Sequence, residues 1–146
     1  MNVNIKLLNE NATVPFYASA GAACFDIATD GDIQYDEYGN ALCSTGLAFE
    51  VPDDHVMLVF SRSGHGFKYD ISLSNSVGVT DSDYRGELKV KLRADSTAGQ
   101  EILDNLQKGD RIAQAMIMPV TQVTLNVVKT LTETERGTNG FGSTGK

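Results

Sequence analysis

Two aspartates stand two residues apart in GVTDSDYRGE (78–87), Asp81 and Asp83, with Tyr84 and Arg85 directly after them. Carboxylates at i and i+2 of a hairpin can point the same way, so that one orients a water as general base while the other is solvated or paired to Arg85. The same residues also suit a plain hairpin, in which Asp and Gly only serve the turn. A second cluster, SRSGHG (61–66), places Arg62, Ser63 and Gly64 directly after an apolar run. Exposed N–H groups there can form an anion-binding nest, or simply a Ser/Gly turn. In GDRIAQ (109–114) a turn and a charged pair lead into an apolar stretch that contains Gln114, whose amide needs a partner, either a ligand or the backbone.

The ending RGTNGFGSTGK (136–146) contains G-x-x-x-x-G-K, most of a phosphate-binding P-loop. That motif needs Ser or Thr after the Lys, a strand before it and a helix behind it, and here the chain stops. The glycine content suits a disordered tail, but Phe141, a large ring among small residues, does not. His55 and His65 are ten residues apart without an H-x-x-x-H or Cys/His cluster, which disfavours a protein-ligated transition metal. Ser63 with His65 lacks a carboxylate to orient the imidazole, so a nucleophilic triad is not expected. Cys24 and Cys43 lie far from any C-x-x-C spacing and read as reduced, partly buried thiols.

The elements that must carry these clusters are strands. In GELKVKLRA (86–94) Leu88, Val90 and Leu92 alternate with charged residues, a half-buried strand. The same period of two runs through Val3, Ile5 and Leu7 and through Val123, Leu125 and Val127. HVMLVF (55–60) is apolar throughout and IAQAMIM (112–118) nearly so, which predicts strands covered on both faces. Turn signals fall at DGD (30–32), EYGN (37–40), VPDD (51–54) and KGD (108–110). Short strands with polar turns predict an all-β barrel or sandwich. One helical candidate is AGQEILDNLQ (98–107), with Ala98, Ile102 and Leu106 at spacing four; Gly99 weakens it and leaves a turn or short strand open. A length of 146 residues suits one domain, read as 1–131, followed by a flexible Gly-rich arm, 132–146. A formal net charge of −7 argues against nucleic acid as a partner, and no apolar run is long enough to span a bilayer, which predicts a soluble, cytoplasmic protein.

Taken in order, these clusters resemble the five motifs of the trimeric dUTP diphosphatase (dUTPase) family: AACFDI (22–27), SRSGHGFK (61–68), GVTDSDYRGE (78–87), GDRIAQ (109–114) and RGTNGFGSTG (136–145). The resemblance implies a distorted jelly-roll β-sandwich that forms a homotrimer. Its active sites would be shared, with the first, second and fourth motifs from one chain, the third from another and the fifth from the last. The implied reaction is hydrolysis of dUTP to dUMP and pyrophosphate by water attack on the α-phosphorus, which limits uracil in DNA and supplies dUMP for thymidylate synthesis. By motif, Asp81 corresponds to the carboxylate that activates the water, and Tyr84 to the ring under the deoxyribose. Asn75, Val79, Thr80 and Lys89 correspond to the uracil-reading loop, and Arg62, Ser63, Gly64 and Gln114 to phosphate contacts. Phe141 corresponds to the ring that stacks on uracil, and Arg136, Gly142, Ser143 and Thr144 to arm contacts with nucleotide. Mg²⁺ in this family is held mainly by phosphates and water, so no direct protein ligand is expected and Asp26 is at most an outer or structural partner.

Four positions depart from the usual pattern: Cys24 for Gly, Ser61 for Pro, His65 for an apolar residue and Thr80 for Ile. The 96–105 segment is also slightly long. The related dCTP deaminase is a poorer match, because its catalytic Glu would fall on Lys91. A dUTP-binding regulator acting through a protein partner is the alternative; it could dispense with Asp81, which this chain keeps.

Overall fold

The computed structural model describes residues 1–141 and 143. Among them ten strands and two helices follow in chain order: β1 (Asn4–Leu7), β2 (Phe25–Ala28), β3 (Ile33–Tyr35), β4 (Ala41–Ser44), β5 (Leu47–Glu50), β6 (His55–Phe60), α1 (Ser63–Tyr69), β7 (Ile71–Leu73), β8 (Val77–Thr80), β9 (Lys89–Ala94), α2 (Thr97–Asp104) and β10 (Arg111–Pro119). All pairings are antiparallel. One sheet runs β2-β10-β6-β8, the second β3-β4-β9-β7, and β1 pairs with β5 alone. Ile27, Met57, Val59 and Ile112 from the first sheet and Cys43, Ile71, Val90 and Leu92 from the second join one buried cluster, the core of a distorted jelly-roll sandwich. Period two along β9 sends Val90 and Leu92 into that core and Lys89, Lys91 and Arg93 outward.

All four turn signals fall between strands or, for KGD, between α2 and β10. Gly31 (φ 97°) and Gly39 (φ 79°) take left-handed conformations that cost glycine nothing. HVMLVF forms β6, but with one face: Met57 and Val59 are buried, while Val56, Leu58 and Phe60 are half-buried, because the outer face of this sheet is only partly covered. β1 forms as expected, yet all four of its residues are exposed, Ile5 and Leu7 included, since its sole neighbour is β5. The alternation at Val123, Leu125 and Val127 does not produce a strand. Beyond Pro119 the described residues make one bond back to the fold, Val120 N–H to the Asp54 carbonyl at 2.8 Å, and Val127 is fully exposed. Period two needs a neighbouring strand to hydrogen-bond, and among the described residues none lies beside this segment.

The 98–107 segment is helical only as far as Asp104: α2 starts one residue earlier, at Thr97, ends before Asn105, and is capped by Ser96, whose hydroxyl accepts from Gly99 N–H at 3.1 Å. Gly99 is required rather than merely tolerated: a Cβ there would overlap the Tyr69 carbonyl oxygen and press on Ala94 Cβ at 3.0 Å. The helix buries Gly99 and Leu103, one position on from the Ala98/Ile102/Leu106 stripe, with Ile102 and Leu106 packed at its edge. SRSGHGFK, read as a turn, instead opens α1. Arg62 is its extended N-cap, and Asp70 closes it in the left-handed region (φ 53°), its N–H returning to the Gly66 and His65 carbonyls. Two glycines give α1 little intrinsic propensity, so it is held by its contacts with α2 and β7.

Candidate active site

The third-motif residues converge on one cavity of about 760 Å³ between β8 and β9. Asn75, Val79, Thr80, Asp81, Tyr84 and Lys89 line its polar side, over an apolar floor of Leu42, Val59, Leu73 and Val90. β8 is fixed by its register on β6, with Met57 opposite Thr80 and Val59 opposite Gly78. Gly78 lets the strands close up, since a Cβ would stand 3.1 Å from Val59 Cβ. After β8 the chain turns: Tyr84 N–H donates to the Asp81 carbonyl at 3.2 Å, and Tyr84 O–H to the Glu87 carbonyl at 3.0 Å. The Asp81 carboxylate is left exposed at the rim. Asp83 does not pair with Arg85. Arg85 Nη1 donates to the Ser82 and Tyr84 carbonyls and its Nη2 lies 3.8 Å from Glu50, because the turn carries the guanidinium back over its own backbone.

Arg62, Gln114 and Asp26 form a second group. β10 sits between β2 and β6, with Gln114 opposite both Asp26 and Phe60. Gln114 Nε2 donates to the Ser61 carbonyl at 2.9 Å, so the partner of this amide is backbone. Ser61 Oγ in turn accepts Leu73 N–H at 2.9 Å, a bond that a proline at position 61 could not offer. Asp26 Oδ2 accepts from Arg111 Nη1 at 2.9 Å and its Oδ1 lies 3.9 Å from Arg62 Nε. Burial, then the nearby Arg111, lowers the pKa of Arg62, opposed by Asp26 and Asp110; the group still stays cationic at neutral pH. Ser63 and Gly64 open the first turn of α1, where N–H groups have no intrahelical acceptor. Arg111 was not singled out by sequence reasoning. Its signal was the charged pair of GDRIAQ, and the register shift between Arg111 and Ala113 turns it toward Asp26.

Asp81 and Arg62 sit toward opposite ends of β6, while Leu73 and Asn75 of the cavity lie at its Phe60 end, where Leu73 N–H meets Ser61 Oγ. Thr80 pairs with Met57 whereas Gln114 and Val77 flank Phe60, and at about 3.3 Å per residue Met57 and Phe60 are already roughly 10 Å apart. Asp81 and Arg62 lie beyond those two residues in opposite directions.

Among the described residues the arm joins neither group. Arg136 Nε donates to the Asn139 carbonyl at 2.9 Å and Ser143 N–H to the Gly140 carbonyl at 3.1 Å, both local turns. Phe141 is fully exposed with φ 52°. Gly142 and Thr144 lie outside the described residues. Lys91 Nζ sits 2.7 Å from Asp36 Oδ2 and, with Asn40, holds that carboxyl well below the usual range. Cys24 is half-buried and Cys43 buried, both free; burial, then the nearby Asp30, pushes the Cys43 thiol up to about 12. No helix among the described residues is long and apolar enough to cross a membrane.

The two sheets define a mostly β sandwich with a cavity that opens beside an exposed carboxylate. Within that class, the dUTPase family model matches residues 10–145, and the chain belongs to this family. A deoxyuridine 5'-triphosphate nucleotidohydrolase of Nautilia profundicola is 44% identical, over 100% of both chains. Among solved structures, a mutant dUTPase of Staphylococcus bacteriophage 80alpha with dUpNHpp superposes with a TM-score of 0.83 at 26% identity, covering 99% of each chain. A phage phi11 dUTPase mutant, described with a structural Mg(II) ion, gives a TM-score of 0.74 at 23% identity over 89% of this chain and 98% of that one.

Proposed function

We propose that this chain hydrolyses dUTP to dUMP and pyrophosphate, with water attacking the α-phosphorus under the control of Asp81. The observation that carries the reading is the β8–β9 cavity, which brings Asp81, Tyr84 and the Asn75–Lys89 group together in a chain that belongs to the dUTPase family. Uracil enters the cavity against the backbone of Val79 and Thr80, with Asn75 and Lys89 beside it, and a cytosine would leave buried donors and acceptors unpaired. Tyr84, held by its bond to Glu87, lies under the deoxyribose and denies space to a 2′-hydroxyl. The Asp81 carboxylate accepts a proton from the attacking water. Positioning and neutralisation of charge supply most of the rate in such phosphoryl chemistry.

The phosphates are held by Arg62, by Ser63 and Gly64 at the start of α1, and by Gln114, which anchors Ser61. Arg62 and Asp81 of one chain lie at opposite ends of β6, and this separation supports sites shared between chains of a homotrimer. The exposed β1 face and the unpaired 120–131 segment are surfaces such an assembly would cover. The arm of a further chain closes the site, with Arg136, Ser143 and Thr144 on the phosphates, Gly142 against the nucleotide and Phe141 over the base.

Mg²⁺ accompanies the triphosphate. Asp26 already faces two guanidinium groups, so it would meet a hydrated ion only through water, and a hard cation that keeps its waters suits this donor set. When bound, the ion neutralises phosphate charge. The reading places the reaction in the cytoplasm, beside the nucleotide pool it would act on. The regulatory alternative is not favoured, since the chain matches named nucleotidohydrolases over its full length and retains Asp81. Deamination is disfavoured too, because Lys91, paired to Asp36, offers no base. The test is a panel of dUTP, dTTP, dCTP and UTP with Mg²⁺, following pyrophosphate and base product. The expected result is pyrophosphate from dUTP alone and unaltered cytosine; equal turnover of all four would overturn the reading.

A further inference from the structure

His65 stands three residues after Arg62, half-buried against a cavity of about 490 Å³ bounded by α1, α2 and the start of β10. Its Nε2 lies 3.1 Å from Arg62 Nη1, and that same Nη1 donates to the Arg111 carbonyl at 2.8 Å. A guanidinium only donates, so Nε2 must be the acceptor and the ring proton must sit on Nδ1. Nδ1 is buried and has no hydrogen-bond partner among the described residues. A buried donor left unpaired is costly, by about 1–3 kcal/mol, and the fold accepts it while Nε2 meets Arg62. With Nη1 taken by His65 and Arg111 and Nε turned to Asp26, Nη2 is the donor that meets no residue among those described.

We propose that His65 is the positioning residue for Arg62, holding its guanidinium toward the triphosphate through the Nη1–Nε2 hydrogen bond; this rests on the reading of Arg62 as a phosphate-binding residue. The bond exists only with a neutral imidazole, because an imidazolium would set two donors, both charged, against each other. The charged and titratable groups around the ring are Arg62 at the N-cap of α1, Lys68 and Tyr69 on α1, Asp110 just before β10 and Arg111 at its start, with Asp26 of β2 behind the two arginines. α2 and the turn after it contribute only uncharged Ile102, Asn105 and Leu106. Burial first, then Arg62, keeps His65 below its ordinary pKa of 6.5, with Asp110 opposing and Arg111 adding to the depression. The neutral form therefore predominates at pH 6.5 and above and is lost as pH falls through the lowered value.

The experiment compares wild type, His65→Leu, His65→Gln and Arg62→Ala, alone and with His65→Leu. It measures kcat and KM for dUTP, binding of dUpNHpp and the thermal transition across pH 5 to 8. At pH 8, His65→Leu is expected to raise KM and the dUpNHpp dissociation constant about tenfold, the loss of one charge-assisted hydrogen bond, with kcat little changed. His65→Gln, whose Oε1 can accept from Nη1, keeps the wild-type KM. The ratio of wild-type to His65→Leu affinity, in which the substrate's own titration cancels, falls toward one as pH drops below 6.5. In the Arg62→Ala background, His65→Leu has no further effect. Equal KM values for wild type and His65→Leu at pH 8, a persisting effect without Arg62, or wild-type binding that strengthens relative to His65→Leu in acid would each overturn the proposal. Wild-type failure to hydrolyse dUTP would count against the dUTPase reading, whereas dUpNHpp binding would still report on His65.

Discussion

Asp81→Asn is expected to lower kcat on dUTP by about 10²–10⁴-fold while leaving dUpNHpp affinity and the thermal transition nearly unchanged. The two side chains have the same shape, so the rim of the cavity keeps its form, but the amide cannot take a proton from water. Asp81 is exposed, and the contact that fixes the turn is made by its backbone carbonyl with Tyr84 N–H. Nothing buried depends on its charge, and a surface change of this kind shifts stability by about 0.5 kcal/mol or less. A fall in turnover with intact binding separates loss of a reacting group from damage to the cavity. Unchanged hydrolysis in the variant would remove Asp81 from the mechanism.

Deleting residues 136–146 is expected to cost about 10²-fold or more in kcat/KM while preserving the assembly and its thermal transition. Among the described residues the arm's hydrogen bonds are local, Arg136 to Asn139 and Gly137 N–H to the Thr134 carbonyl, and Phe141 is fully exposed. Removing it therefore opens no cavity in the core. Its contribution is to cover bound nucleotide, exclude water from the base and hold the phosphates. Mixing truncated chains with Asp81→Asn chains should restore part of the activity, since a shared site can take its carboxylate from one chain and its arm from another. Loss of the thermal transition on truncation would make the arm a structural element instead.

The features that were legible in the sequence are those whose cause is local. Leu88, Val90 and Leu92 announce β9 because each inward residue meets the core at period two, and glycines at 31 and 39 announce turns that demand left-handed backbone. The cavity residues Asn75, Val79, Thr80, Tyr84 and Lys89 follow from the resemblance of the third motif and its flanks to the dUTPase family, with Asp81 also visible as a carboxylate on a hairpin, and β8 and β9 bring them to one place. α1 was not legible, since Gly64 and Gly66 argue for a turn and the helix depends on packing with α2 and β7 and on Asp70 in a left-handed cap. The 123–127 alternation misled because a strand needs a neighbour, and this chain supplies none among its described residues. The pairing of Arg111 with Asp26, 85 residues apart in sequence, arises only from the β2–β10 register.

The most direct measurement of the central claim is hydrolysis of dUTP in ¹⁸O-water with mass analysis of both products. Attack on the α-phosphorus, with Asp81 activating the water, predicts the label in dUMP and unlabelled pyrophosphate. Label in pyrophosphate, or release of orthophosphate, would contradict the account.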